Sequence, residues 1–150
     1  MYCPFCDKGA VESFLSSPNF LAIYNIAPAL PGHSLVIPKR HIESLFELTD
    51  EEVAEFMLLG RNVAKLITMA LNTDAFDWAI QEKAAAGQTV NHLHMHVIPR
   101  KLGDLPNPGD WYFELEKSEQ HIDSADRKKL KPEEMDKIVR MLRELAKRIF

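Results

Sequence analysis

Two cysteines are all that the sequence carries, and at Cys3 and Cys6 they stand too close together to be read first as a structural disulfide. They suit half of a metal site better. There is no excess of positive charge: the formal net charge is −4, so the electrostatic footprint of a nucleic-acid binder is missing and a small partner is expected. No apolar run approaches the ~18–20 residues that span a bilayer, and no basic stretch followed by an apolar region opens the chain, so a cytoplasmic protein without membrane partners is expected. Repeats, low-complexity tracts and obvious linkers are also missing. With 150 residues and 46% hydrophobic content, the expectation is one domain covering 1–150 with a single core.

What is present is concentrated in Asn91-His-Leu-His-Met-His-Val-Ile98, where three of the six histidines alternate with apolar residues. On an extended strand, alternate side chains share a face, so His92, His94 and His96 line one side while Leu93, Met95 and Val97 line the other. The apolar side reads as core. The imidazole side reads as chemistry, because three neighbouring histidines offer no packing advantage over valine or threonine. At neutral pH an imidazole can act as nucleophile, acid or metal ligand, depending on which nitrogen is engaged. A central His94 could attack phosphorus through one ring nitrogen if the other donated to a backbone carbonyl. Gln81, Gln88, Thr89 and the backbone at Gly87 would be neutral donors beside it, suited to a transferring phosphoryl group.

The rest of the chain frames that segment. Residues 20–25 and 33–37 have strand composition and flank a Pro/Gly-rich turn, which predicts a hairpin-like pair ended by Pro38. Thr49-Asp-Glu-Glu52 matches a capping box and opens a helix over 49–71. Residues 76–81 alternate as a third strand that delivers Gln81, and Trp111-Tyr-Phe113 is a candidate further strand or aromatic cluster. Glu114–Lys131 reads as a solvated connection. Pro132 and the stripe Met135, Ile138, Val139, Leu142, Leu145, Ala146 and Ile149 predict a C-terminal amphipathic helix over 132–149.

The segment His92 to Ile98 resembles the signature of the histidine triad superfamily of nucleotide hydrolases and transferases. Ala86-Gly-Gln-Thr-Val90 before it and Pro99-Arg-Lys-Leu-Gly-Asp104 after it are similar to the Fhit branch of dinucleoside polyphosphate hydrolases, as are Asn25 and Pro31-Gly-His-Ser-Leu-Val36. The resemblance covers roughly residues 1–115. It implies an α+β fold with a mostly antiparallel sheet of about five strands, one long helix and a C-terminal helix, and a homodimer. It further implies that His94 forms a nucleotidyl-histidine, that His96 meets the phosphate or bridging oxygen, and that Thr89 lies near the leaving group. Gln81, Gly87 and Gln88 would grip phosphate, Asn25 would meet ribose, Ile23 and Leu35 would wall the purine, and His33 would support the triad. The substrate would be a diadenosine tri- or tetraphosphate, in a form that could include Mg²⁺.

Two departures stand out. Fhit lacks the CxxC and has no histidine after Pro38-Lys-Arg40, whereas this chain has both. It thereby resembles bacterial triad proteins and galactose-1-phosphate uridylyltransferases, a likeness that implies structural Zn²⁺ on Cys3, Cys6, His41 and His92. The Fhit branch also follows its first glutamine with Asp-Gly, where this chain has Glu82-Lys83, and Lys83 becomes a candidate contact for a distal phosphate. Other readings share the His94 intermediate: transfer to phosphate or another acceptor, and phosphoramidate cleavage. A zinc-stabilised nucleotide sensor is the non-catalytic alternative.

Overall fold

The computed structural model describes residues 2–107, 109 and 127–150, with side chains 8–11 left aside. The chain opens with a helix, α1 (Pro4–Glu12), followed by strands β1 (Ser13–Ser16), β2 (Phe20–Tyr24) and β3 (Ser34–Pro38). A long helix α2 (Asp50–Ala70) leads to β4 (Ala75–Ile80) and β5 (Met95–Arg100), and helix α3 (Pro132–Ile149) closes the sequence. The strands form one antiparallel sheet in the order β1-β2-β3-β5-β4. This is the α+β architecture that the sequence predicts.

Each long element has a local cause. Thr49 caps α2 by accepting the Glu52 N–H at 3.2 Å, while the Glu52 carboxylate accepts the Thr49 N–H at 3.0 Å. One face of α2 then buries Phe56, Leu59, Val63, Leu66 and Ile67. Pro132 starts α3, where its missing N–H costs nothing, and Met135, Val139, Leu142 and Ala146 form the buried stripe. Both helices cover the sheet face that carries Phe20, Ala22, Tyr24, Val36, Met95 and Val97. That face is the main core.

The hairpin β2–β3 pairs Ile23 with Leu35 and Phe20 with Pro38, so the proline sits at the end of its strand where it interrupts no central ladder bond. The intervening turn needs Gly32 at φ +90°, and its N–H donates to the Tyr24 hydroxyl at 2.7 Å.

Three local expectations change. The histidine segment is not paired throughout: ladder register on β5 begins at Met95, and His92 to His94 run ahead of it, with the Leu93 N–H donating to Ile42 O at 2.7 Å. The imidazoles nevertheless share one side, since Phe5 packs against both His92 and His94 and His94 against His96. The cysteine pair lies at the start of α1, which its weak helical periodicity concealed. Among the described residues the fifth strand is β1, a four-residue edge whose register slips between Ser13 and Leu15. The expected strand at Trp111–Phe113 and most of the connection that follows lie outside the described residues.

Candidate active site and metal group

The side of the sheet opposite α2 and α3 carries the histidines. Across three neighbouring strands Ile23 pairs with Leu35 and Leu35 with His96, which places an apolar strip beside an imidazole. Leu21, Ile23, Leu35 and Ile37 form a small second cluster, and Phe5 from α1 packs onto it. Phe5 also presents its ring edge-on to His92 at 5.7 Å and to His94 at 5.3 Å between centroids. Sequence reasoning missed Phe5. The available signal was its place between the two cysteines, since any group that anchors Cys3 and Cys6 near His92 brings Phe5 along.

Hydrogen bonds distinguish the four buried histidines from one another. The Ala29 N–H donates to His33 Nδ1 at 3.0 Å, so His33 must carry its proton on Nε2. That nitrogen lies 2.9 Å from His96 Nδ1 and donates to it, which leaves the His96 proton on Nε2. His94 has the opposite assignment: its Nδ1 lies 2.7 Å from the His92 carbonyl oxygen and must donate, so the lone pair is on Nε2. The rings of His94 and His96 are 4.9 Å apart. One imidazole thus offers an electron pair and its neighbour a proton.

His92 is turned to a different task. Its Nε2–H donates to Pro38 O at 3.0 Å, so Nδ1 holds a lone pair, and this atom lies 3.5 Å from both Cys3 Sγ and Cys6 Sγ. His41 Nδ1 is 3.3 Å from Cys6 Sγ. All four ligand atoms lie within 4.8 Å of one another. Tetrahedral Zn²⁺ with ordinary Zn–S and Zn–N lengths separates sulfur from nitrogen by about 3.6 Å, which this set nearly reproduces. Electrostatics agree with the geometry. Desolvation and the neighbouring Cys3 raise the Cys6 thiol above its usual value, so two adjacent thiolates call for a cation. Burial, with His41 and His94 adding to it, lowers the His92 value and keeps the ring neutral as a ligand must be. The Pro38 carbonyl fixes the ring from behind, as partners of metal-bound histidines do. The donor set fits a metal ion.

The remaining expected residues are placed unevenly. Asn25 Oδ1 accepts the Ala27 N–H at 2.9 Å and its Nδ2 stands 3.4 Å from His33 Nε2, a contact beside the apolar strip rather than a second bond, because that nitrogen already donates to His96. Gln81 follows β4, and its amide approaches Gly87, where an added Cβ would meet Nε2 at 3.1 Å. Gly87 itself has φ +94°. The Gln81 Oε1 position is buried with no hydrogen-bond partner among the described residues, and rotation of the amide would put an NH₂ donor there. Gln88 is buried and already engaged: its Oε1 accepts the Lys83 N–H at 2.7 Å and its Nε2 stands 3.5 Å from His92 O. It therefore braces the carbonyl that sets His94. Thr89 is exposed, on a cleft of about 670 Å³ that it shares with Cys3, Cys6, His41 and Glu43.

The Glu82-Lys83 departure also has a structural account. The Glu82 carboxylate accepts from Ser44 Oγ at 2.8 Å and from the Leu45 N–H, and Lys83 Nζ lies 3.4 Å from Glu43. Both tie the loop after β4 to the segment after His41.

A sheet carrying alternating histidines on one side and an apolar strip beside them defines a triad-type site. The HIT domain profile matches residues 11–103, and the chain belongs to that family. It is 38% identical over 109 residues, 73% of each chain, to a bis(5'-adenosyl)-triphosphatase from Dictyostelium discoideum. It is 41% identical over 103 residues to an asymmetrical bis(5'-nucleosyl)-tetraphosphatase from Schizosaccharomyces pombe, covering 69% of this chain and 57% of that protein. A Zn-bound histidine triad family protein from Mycobacterium smegmatis superimposes with TM-score 0.73 and 30% identity, over 99% of this chain and 96% of that one.

Proposed function

We propose that the chain hydrolyses dinucleoside polyphosphates, of the diadenosine tri- and tetraphosphate class, in two steps. The observation that carries this reading is the opposed protonation of His94 and His96. His94 Nε2, with its lone pair fixed by the bond from Nδ1 to His92 O, attacks the α-phosphorus while the P–O bond to the polyphosphate breaks. His96 Nε2–H meets the departing oxygen and stabilises or protonates it. Water then cleaves the phosphorus–nitrogen bond and releases a nucleoside monophosphate. Ile23, Leu35 and Phe5 take the base, Asn25 the ribose, and Gln81, Gly87 and Gln88 the phosphate side, with Thr89 toward the leaving group. The names of the two relatives support the substrate class.

Zn²⁺ on Cys3, Cys6, His41 and His92 belongs to this reading as a structural ion, which would hold α1, and Phe5 with it, against the nucleotide face. Mg²⁺ would arrive with the polyphosphate. A cytoplasmic location, where the cysteine pair stays reduced, and a homodimer complete the reading. Among the described residues no helix is long and apolar enough to cross a membrane.

The test is a panel of dinucleotides, phosphoramidates and adenylylated amines, with products identified with and without inorganic phosphate. Nucleoside monophosphate formed by wild type, with His94→Asn binding ligand but not turning it over, is the expected result. Nucleoside diphosphate in place of the monophosphate, with turnover only when inorganic phosphate is present, would replace hydrolysis by phosphorolysis. Binding without turnover across the panel would leave a nucleotide sensor.

A further inference from the structure

The segment that enters α3 reaches across the molecule to the turn between β2 and β3. Arg127 is buried at 9% exposure, a rare place for a guanidinium, and its Nε–H donates to Ala27 O at 2.9 Å. The Leu130 N–H donates to Ile26 O at 2.7 Å. Two consecutive peptide units are therefore gripped by one segment. They are the units that matter to the site. The peptide joining Ile26 to Ala27 carries the N–H that Asn25 Oδ1 accepts at 2.9 Å. The peptide joining Ala27 to Pro28 comes one residue before the peptide whose N–H Ala29 presents to His33 Nδ1 at 3.0 Å.

We propose that Arg127 is a positioning residue for His96, acting through this turn; the inference rests on the hydrolase reading for its kinetic part alone. The chain of donors runs Arg127 Nε–H to Ala27 O, Ala29 N–H to His33 Nδ1, and His33 Nε2–H to His96 Nδ1. Only while Ala29 points its N–H at His33 is the Nδ1-protonated tautomer of that ring excluded, because two N–H groups would then oppose each other. If the turn relaxes, His33 can protonate on Nδ1 and accept at Nε2. His96 must then donate from Nδ1, and its Nε2 turns from a donor into an acceptor that repels a phosphate oxygen. A side chain 100 residues away in sequence from Ala27 thus selects which nitrogen of His96 carries the proton. His94 lies outside the relay, since its tautomer depends on His92 O.

The experiment compares wild type with Arg127→Met, which keeps an unbranched apolar stem, and Arg127→Lys, which restores a donor. Arg127→Gln provides a second neutral variant if Arg127→Met does not fold. Long-range ¹H–¹⁵N spectra of ¹⁵N-histidine protein, recorded below the unfolding transition, report each ring's tautomer without any turnover. In wild type, His33 and His96 are expected as Nε2–H and His94 as Nδ1–H. In the neutral variant, His33 and His96 acquire a second tautomer while His94 keeps its own, and Arg127→Lys recovers part of the original population. With diadenosine triphosphate, kcat falls about tenfold and KM changes less than about twofold, as loss of a contact made in the transition state requires. Unchanged tautomers of His33 and His96 in the folded neutral variant would overturn the proposal, whatever the rates. A wild type that does not cleave the dinucleotide would defeat the hydrolase reading while leaving the spectra to decide the role of Arg127.

Discussion

Lys83 has φ +71° and ψ 163°, a backbone region that belongs almost solely to glycine, so replacing it with glycine should stabilise the protein. A non-glycine residue held there costs about 1–3 kcal/mol. Against that relief stands the extra freedom of glycine in the unfolded chain, about 0.4–1 kcal/mol. The ion pair to Glu43 is also lost, but at 3.4 Å with side chains 63% and 44% exposed it is weak. Such surface pairs contribute roughly 0–1 kcal/mol. Lys83→Gly should therefore gain about 1 kcal/mol, which for this chain length raises the melting temperature by roughly 2–4 °C. Lys83→Ala separates the contributions, because it removes the pair while keeping the strained backbone, and should be neutral or slightly less stable than wild type. Urea and thermal unfolding of the three proteins measure both differences. The Lys83 N–H that Gln88 accepts survives in both variants, so hydrolysis of short substrates should be unchanged. A Lys83→Gly protein less stable than Lys83→Ala would refute the strain argument. A rise in KM confined to longer polyphosphates would assign the ammonium to a distal phosphate.

Three further outcomes follow from the same geometry. Wild type should bind about one equivalent of zinc and melt at a lower temperature after chelation, with a shift near ~2.7 kcal/mol when free metal is ~100-fold above its dissociation constant. Cys6→Ser should bind far less metal and lose that response, and a chelator-sensitive melting curve in Cys6→Ser would count against the four-ligand set. Gly32→Ala should lose about 2–5 kcal/mol in chemical denaturation, because φ +90° is unfavourable for alanine and its Cβ would stand 2.4 Å from Pro99 Cγ and 2.6 Å from Leu71 Cδ1; near-wild-type stability would show that the turn can reopen. Asp104 accepts from Arg100 Nε and Nη2, both at 2.9 Å, and this bond holds its carboxyl below the usual aspartate range. A lowered folded value means that its stabilisation is complete above the unfolded value of about 3.9 and is lost as pH falls through the folded one. Asp104→Asn should cost about 1.5–3 kcal/mol at pH 7 and flatten stability against pH below 4, whereas an unaltered acid slope would remove Asp104 from that role.

The elements legible in the sequence are those whose cause lies within a few residues. Thr49 and Glu52 cap a helix that begins at Asp50, as their spacing requires, and β2 and β3 end within a residue or so of the expected limits. The group of four side chains that could hold a metal ion was legible too, but through Cys3, Cys6 and His41 occurring together with the triad rather than through any local pattern. What escaped depends on contacts between distant parts of the chain. Helix α1 has little amphipathic character and takes its place from Cys3 and Cys6 meeting His92 across 89 and 86 residues. Strand β1 is short and slipped, with too few positions to establish an alternation. Gln88 also has a part in the fold that its position did not reveal, since its amide oxygen accepts the Lys83 N–H.

The unequal hydrogen bonding of the three histidines illustrates the same boundary. Alternation places three rings on one side but treats them as equivalent, and nothing in the local sequence chooses a nitrogen on any of them. The choice is made by three backbone groups from three places: Pro38 O for His92, His92 O for His94, and Ala29 N–H, through His33, for His96. Two of these are carbonyls that each fix one ring directly. The third passes through a second imidazole, so the state of His96 depends on the position of a whole turn, and that turn is gripped by Arg127 and Leu130. Residues 127–150, which among the described residues add no side chain to the apolar strip, are therefore joined to the triad at His96 and not at His94.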